Sequence, residues 1–293
     1  MLFRSYNLKT GYHWDKDKYG NPMTVFAEIN PESEDHSAEL TYGQNAALWR
    51  INLGWRSREE EGVGFDLDME RGYWVKRNRD NNAEDNDQEE PYSSRIERVV
   101  PFVEDHKNSL LFKPNEPLSE EQMISLAAAM RRGIQTEYQL EDGELAAELL
   151  PAGDGAYQIL FYESAEGGAG VLRRLAEEKD AFAKVAKTAL EICHFNPETG
   201  EDRGHAEHST EHCEAACYDC LMSYSNQHDH LKLNRFGIRD ILLSYAAAET
   251  KTSSVSEPRD EHYKKLLEGC ESDLEKKWLK YINDHDLPLP EEG

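Results

Sequence analysis

No apolar run in this sequence is long enough to cross a bilayer as a helix. The opening residues, Met1-Leu-Phe-Arg-Ser-Tyr6, lack the hydrophobic stretch of a secretory leader. The expectation is a cytoplasmic protein that keeps its thiols reduced and has no membrane partner. No G-x-x-x-x-G-K-[ST] loop occurs either, so the chain is not expected to hydrolyse nucleotides or act as a motor by itself. Positive charge is scarce: 33 Lys and Arg stand against 58 Asp and Glu, a formal net charge of -25. That balance disfavours independent, nonspecific nucleic-acid binding, which draws on positive potential. It leaves room for a local basic groove and suits docking against a basic partner.

Cysteine is scarce too, five in 293 residues, yet four of the five fall in one window: Cys193, then Cys213-Glu-Ala-Ala-Cys217-Tyr-Asp-Cys220. Two thiols separated by two residues can bite one tetrahedral metal ion, because the turn between them points both sulfurs inward. Cys213 sits one turn before that pair, and Cys193 ends a helix-like run from which the chain can return to the same point. Scattered cysteines would read as small buried hydrophobes. Four gathered among polar neighbours point instead to structural zinc. A disulfide is the lesser reading, since nothing suggests export. His194, His205, His208 and His212 share the window, and any of them can stand in for a thiol, His212 beside Cys213 foremost.

Two catalytic zinc patterns are mimicked in the same window. His205-Ala-Glu207 followed by Cys217-x-x-Cys220 looks like the zinc deaminase signature. His208-Ser-Thr-Glu211-His212 looks like an H-x-x-E-H protease motif. Only nine residues separate Glu207 from Cys217, too few for the strand and turn a deaminase needs. The protease motif lacks a long helix, with Gly204 before it and the thiol loop directly after. A site filled with thiolates also leaves no open position for water. A metal-dependent hydrolase or deaminase using His205 and Glu207 is thus the rival enzyme reading. A protein-interaction scaffold with no DNA contact is the third.

The 38% hydrophobic content permits a core of one large domain or two modest ones. Residues 1–118 read as β-rich, with strands at 24–29, 47–53 and 63–69. Trp49, Trp55 and Trp74 read as sheet-face packing rather than as base-stacking platforms. The stretch 76–94 is an acidic loop with too little apolar content to order itself. A strand pair is expected from 98–103 and 109–112, bridged by 104–108.

Residues 119–250 read as a mixed α/β metal-binding domain. Ser119 and Gln122 form a capping box for a helix reaching about Arg132, with Met123, Leu126, Ala127 and Met130 on one face. Strands follow at 144–150 and 157–162. Then Glu163-Ser-Ala-Glu166-Gly-Gly-Ala-Gly170 opens a helix to about Ile192. Strand, glycine turn, helix is phosphate-cradle geometry, but Glu163 and Glu166 would repel a phosphate. The glycines are expected instead to let the helix turn back closely over its parent strand, and a divalent cation between the two Glu residues is the lesser alternative. Lys232, Arg235 and Arg239 recur at helical spacing ahead of a helix at 235–249. They form the best local basic stripe for nucleic acid, and a solvated or salt-bridged face explains them about as well. Residues 251–257 read as a Ser/Thr linker, and 251–293 as a helical tail with a second capping box at Ser272 and Glu275. Asp260-Glu-His-Tyr263 resembles an acidic helicase motif only superficially. The fold class expected is α+β.

Glu166-Gly-Gly-Ala-Gly-Val-Leu-Arg-Arg-Leu175, then Cys193, then Cys217-Tyr-Asp-Cys-Leu-Met-Ser-Tyr-Ser-Asn-Gln-His228 and Leu233-Asn-Arg235 resemble the MrfA zinc-binding (MZB) domain. The resemblance runs from about Leu126 to Ala248. Such domains lie C-terminal to DEAD/DEAH-box helicases of superfamily two and in their partner proteins of DNA repair and anti-phage defence of the DISARM type. The resemblance implies structural Zn2+ held by Cys193, Cys213, Cys217 and Cys220, with His212 or His194 as substitutes for Cys213, since the insertion after Cys193 is long. It implies a non-catalytic module that completes, docks onto or regulates an ATP-dependent helicase motor and meets DNA through that complex. Ser272-Asp-Leu-Glu275 with Leu287-Pro-Leu-Pro290 is similar to the opening of restriction-type nuclease domains. The expectation is therefore a piece of a larger helicase–nuclease polypeptide or a subunit of a split one.

Overall fold

The computed structural model describes residues 6–18, 20, 22–31, 36–55, 62–75, 93–153, 155–164, 168–207, 209–253, 263, 266–267, 270 and 272–284. Most of the acidic stretch 76–94, Glu166, His208, most of the Ser/Thr linker, the 260–262 part of the helicase-like motif and the Leu287-Pro-Leu-Pro290 segment lie outside these residues. The fold is α+β. In chain order the strands are β1 (Tyr6–His13), β2 (Thr24–Asn30), β3 (Ala38–Trp55), β4 (Phe65–Asp68), β5 (Tyr73–Trp74), β6 (Ile96–Val99), β7 (Phe102–Pro114), β8 (Leu145–Pro151), β9 (Tyr157–Glu163) and β10 (Glu249–Ser253). The helices are α1 (Glu120–Glu137), α2 (Val171–Glu177), α3 (Ala181–Ile192), α4 (Arg239–Ala246) and α5 (Asp273–Asp284), with 3-10 segments at Tyr224–Lys232 and Phe236–Ile238. Among the described residues no helix is long and apolar enough to cross a membrane.

The chain divides into two compact units: Met1–His13 with Ala47–Asp105, and Trp14–Ala46 with His106–Gly293. The segment Trp14–Ala46, assigned by the sequence to the N-terminal region, thus shares a unit with everything from His106 onward. In the first unit β1 runs antiparallel to the second half of β3, and β4 lies between β5 and β6 in a three-stranded sheet. Asp68 organises that sheet's turn. Its carboxylate accepts from the amides of Glu70 and Arg71, both at 3.1 Å, and from the amide and hydroxyl of Ser93, both at 2.6 Å. The Ser93 bonds, foremost the hydroxyl, hold its pKa down at about 2. Gly64, at φ +94, is required where β6 crosses: a Cβ there would lie 2.4 Å from the Val99 carbonyl oxygen.

In the second unit the strands follow the order β10-β2-β3-β7-β9-β8, and the pairs β10–β2, β2–β3, β7–β9 and β8–β9 are antiparallel. Helix α1 begins as its sequence dictates. Ser119 caps the Gln122 amide at 3.2 Å, and the Gln122 side chain returns to the Ser119 amide at 3.0 Å. Met123, Leu126, Ala127, Met130 and Ile134 recur on its buried face, and it continues past Arg132 to Glu137. It crosses α3 closely at Gly133, where a Cβ would stand 2.8 Å from the Val185 carbonyl oxygen. Phe112 of β7, Phe182 of α3 and Tyr245 of α4 meet at centroid separations of 5.4–5.9 Å. Each such buried side chain contributes about 1.5–3 kcal/mol of burial free energy.

Three expected elements differ. The strand pair bridged by 104–108 is one continuous strand, β7, preceded by the short β6. The helix expected at 171–192 is two helices, because Glu178 is extended (φ -91, ψ 127) and the Lys179 carbonyl accepts from the Thr250 amide of β10 at 2.9 Å. The helix expected at 235–249 ends at Ala246, and the head of the supposed linker is an edge strand, β10, paired with β2 from Glu249↔Asn30 to Ser253↔Phe26. The glycine turn at 168–170 cradles no phosphate. Glu163 caps α2 instead, accepting from the amides of Gly170, Val171 and Leu172 at 3.3, 2.8 and 3.2 Å and from the Asn108 side chain at 3.1 Å. Those bonds occupy both oxygens of Glu163, which leaves it unsuited to hold a divalent cation.

Candidate metal centre

The centre is built where α3 ends. Cys193 caps that helix, its amide donating to the Ala189 carbonyl at 2.9 Å, and it is fully buried in the helical core. The next residue, His194, adopts φ 64, the left-handed region a non-glycine residue enters only when held there. That reversal sends consecutive side chains to different places: Cys193 into the core, His194 toward the loop that follows. The loop returns through a Phe195↔Asp202 bridge, and the Cys213 amide donates to the Gly204 carbonyl at 2.7 Å. The Cys217-x-x-Cys220 turn closes on itself. The Cys217 amide donates to Cys220 Sγ at 3.0 Å, and the Met222 amide to the Cys217 carbonyl at 3.0 Å.

These turns bring His194, Cys213, Cys217 and Cys220 together, with all four donor atoms within 4.8 Å of one another. Sulfur separations are 3.5 Å for Cys217–Cys220 and 3.8 Å for Cys213–Cys220, and His194 Nε2 lies 3.2 Å from Cys217 Sγ. A tetrahedral zinc ion with bonds of about 2.3 Å to sulfur needs sulfurs about 3.8 Å apart, so the group fits that ion. Burial pushes the Cys213 and Cys220 thiols up, which makes a cation the natural partner of their thiolate forms. Burial, then the nearby Arg235 charge, pushes the His194 imidazole down and favours the neutral form that ligates metals. Among the described residues this is the one group of His, Cys, Asp and Glu side chains gathered closely enough to hold an ion.

The fourth donor in this group is His194, where the sequence reading had Cys193. Cys193 is an immediate neighbour in sequence and is outside the group of four; its thiol is fully buried in the cluster that also holds Cys213 and Cys220, and burial pushes it up to about 12. Cys213 is in the group, and His212 is exposed and outside it. His205 and Glu207 are outside it too; His205 is exposed, and its Nδ1 lies 2.8 Å from the Ala206 carbonyl oxygen.

Of the three residues of the basic stripe, Arg235 is not on the surface. Arg235 is fully buried and salt-bridged to Asp202 at 2.5 Å. Lys232 pairs with Glu120 at 2.7 Å and Arg239 with Asp240 at 2.9 Å, both in partly exposed pairs. Two residues that matter to the site were missed as such, Asp202 and Arg132; the latter donates to the Cys220 carbonyl at 2.6 Å. Neither carries a local signal, because each acts on a segment distant in sequence.

Three thiols and an imidazole on turns at the end of a helix make a donor set of the kind that can hold a structural zinc ion. Residues 126–221, which contain all four donors, match the family model described as the MrfA Zn-binding domain, so the chain carries an MZB domain with zinc as its cofactor. A solved structure described as the DUF1998 helicase MrfA bound to DNA is similar at 11% identity and a TM-score of 0.43. The match covers 82% of this chain and 25% of that one, so the chain spans about a quarter of its length. No curated protein matches the sequence.

Proposed function

We propose that this chain is a non-catalytic zinc module that completes, docks onto or regulates an ATP-dependent DNA helicase motor in DNA repair or anti-phage defence, in the cytoplasm. One observation carries the reading: the Cys3His group lies wholly within the MZB match. His194, Cys213, Cys217 and Cys220 would hold the ion, and its role there is to fasten the loop between α3 and the 3-10 segment. Four protein donors fill a tetrahedral ion and leave no position for an activated water, which supports the structural role over hydrolase or deaminase chemistry at His205 and Glu207. The net charge of -25 favours DNA contact through a partner rather than by this chain alone.

The test is reconstitution with a superfamily two helicase encoded beside it. Unwinding and DNA-stimulated ATP hydrolysis are measured with the wild-type chain and with Cys217→Ser. The proposal expects stimulation or complex formation by the wild-type protein and its loss in the variant. A motor equally active with, without and with the mutated chain, and not retained by it on a size-exclusion column, contradicts the proposal.

A further inference from the structure

Side chains outside the donor group hold its backbone, and they do so with charge. All four terminal N–H bonds of the Arg235 guanidinium are used. One terminal nitrogen donates to the Cys193 carbonyl at 3.3 Å and to Asp202 at 2.5 Å. The other donates to the Cys213 carbonyl at 2.8 Å and to Asp202 at 3.0 Å. Phe195 and Phe236 flank the guanidinium, with ring centroids 4.9 and 4.2 Å from its central carbon. Arg132 of α1 grips the other end of the loop, donating to the carbonyls of Cys220 and Met222 at 2.6 and 3.3 Å.

The carbonyls of Cys213 and Cys220, and that of the residue before His194, are therefore all held by guanidinium groups. A carbonyl oxygen is the negative end of a peptide dipole, and each one fixed on an arginine cannot turn toward a thiolate. At Cys220 Sγ an amide approaches, that of Cys217, 3.0 Å away, with the Cys217 carbonyl farther off at 3.5 Å.

The charges agree with this geometry. A divalent ion with three thiolates and a neutral imidazole leaves a single excess negative charge, and Asp202 adds another. The two guanidiniums lie against this negative charge, to which exposed Asp219, between Cys217 and Cys220 in sequence, also adds at His194.

We propose that Arg235, fixed by Asp202, acts with Arg132 as a set of positioning residues that determines the metal affinity of the centre. This rests on the zinc reading above. An ordinary buried ion pair would need only Arg235 and Asp202. Here the same guanidinium also ends on a donor residue and on the neighbour of another. Lysine cannot replace it, because a point charge lacks the planar fork that reaches two carbonyls and a carboxylate at once.

The experiment uses the full chain and the variants Arg235→Lys, Arg235→Met, Asp202→Asn and Arg132→Lys, with Lys232→Ala as an exposed basic control. Zinc affinity is measured by competition with a chromophoric chelator, and the cobalt-substituted proteins are compared by their ligand-field and thiolate charge-transfer bands. Both Arg235 variants are expected to lose at least about tenfold in affinity and to shift the cobalt bands. Asp202→Asn and Arg132→Lys should move the same way by less, and the control should not move. An Arg235→Lys protein that binds zinc within about twofold of the parent, with a superimposable cobalt spectrum, overturns the proposal, tenfold being the least a supporting residue of this kind is expected to be worth. If Arg235→Met does not fold, the two lysine variants, which keep the charge, decide the matter. A parent that takes up no zinc sinks the underlying reading instead, an outcome distinct from a parent and variants that bind it alike.

Discussion

The sheet-and-helix core and the metal loop belong to one compact unit but hold together by different means. Around Phe112, Phe182 and Tyr245 the side chains are apolar, buried and in mutual contact, and the backbone is satisfied by ladders and helix bonds. Between His194 and Arg235 most residues are polar, only a few such as Phe195, Leu221 and Leu233 reach the core, regular structure is sparse, and the 3-10 segment Tyr224–Lys232 buries no residue. The loop is fixed by four donors and two arginines instead. The difference teaches that shape can be specified without a core of its own, provided a few strong, directional groups converge.

Removing the metal separates the two regions most sharply. A strong chelator, or Cys220→Ser, should abolish zinc binding and raise amide hydrogen exchange across 194–235 while α1 and β9 stay protected. Structural zinc contributes on the order of 10 kcal/mol in small domains. Exchange that rises equally in both regions, or in neither, breaks the comparison. Phe182→Ala comes next. It should lower global stability by about 3–5 kcal/mol in denaturant titration and leave one bound zinc per chain below the new midpoint. Ser119→Ala should cost about 1 kcal/mol by the same titration, since it leaves the Gln122 amide without its cap.

The smallest effect concerns acid and the three-stranded sheet of the other unit. The folded pKa of Asp68 is about 2, below its ordinary value of 3.8, so its contribution is complete above about pH 5 and is lost as pH falls through 3.8 and then about 2. Asp202 has the same sign, its carboxyl held below the usual range by the hydrogen bond from Arg235. Proton NMR of the β4–β5 turn during acid titration should show the Asp68 transition, and Asp68→Asn should remove it.

What could be read in advance was what is local. The Ser119–Gln122 and Ser272–Glu275 boxes formed because each is a four-residue pattern that closes on itself. Strands β8 and β9 were visible in apolar runs bounded by turns. Strand β10 was not, because Glu-Thr-Lys-Thr-Ser has no apolar alternation and pairs at a sheet edge by main-chain bonds. The Cys217-x-x-Cys220 pair was legible from spacing alone. That His194, rather than Cys193, joins it depends on one positive φ at the end of α3, which no residue type announces. Arg235 looked like a surface cation because its partners, Asp202 and the carbonyls of Cys193 and Cys213, are distant in sequence.

X-ray absorption at the zinc edge of the purified full chain tests the central claim most directly. The account predicts one zinc per chain, with a shell of three sulfurs and one imidazole nitrogen that Cys193→Ser leaves unchanged. A four-sulfur shell that loses a sulfur in that variant would contradict it, and so would a chain that holds no zinc.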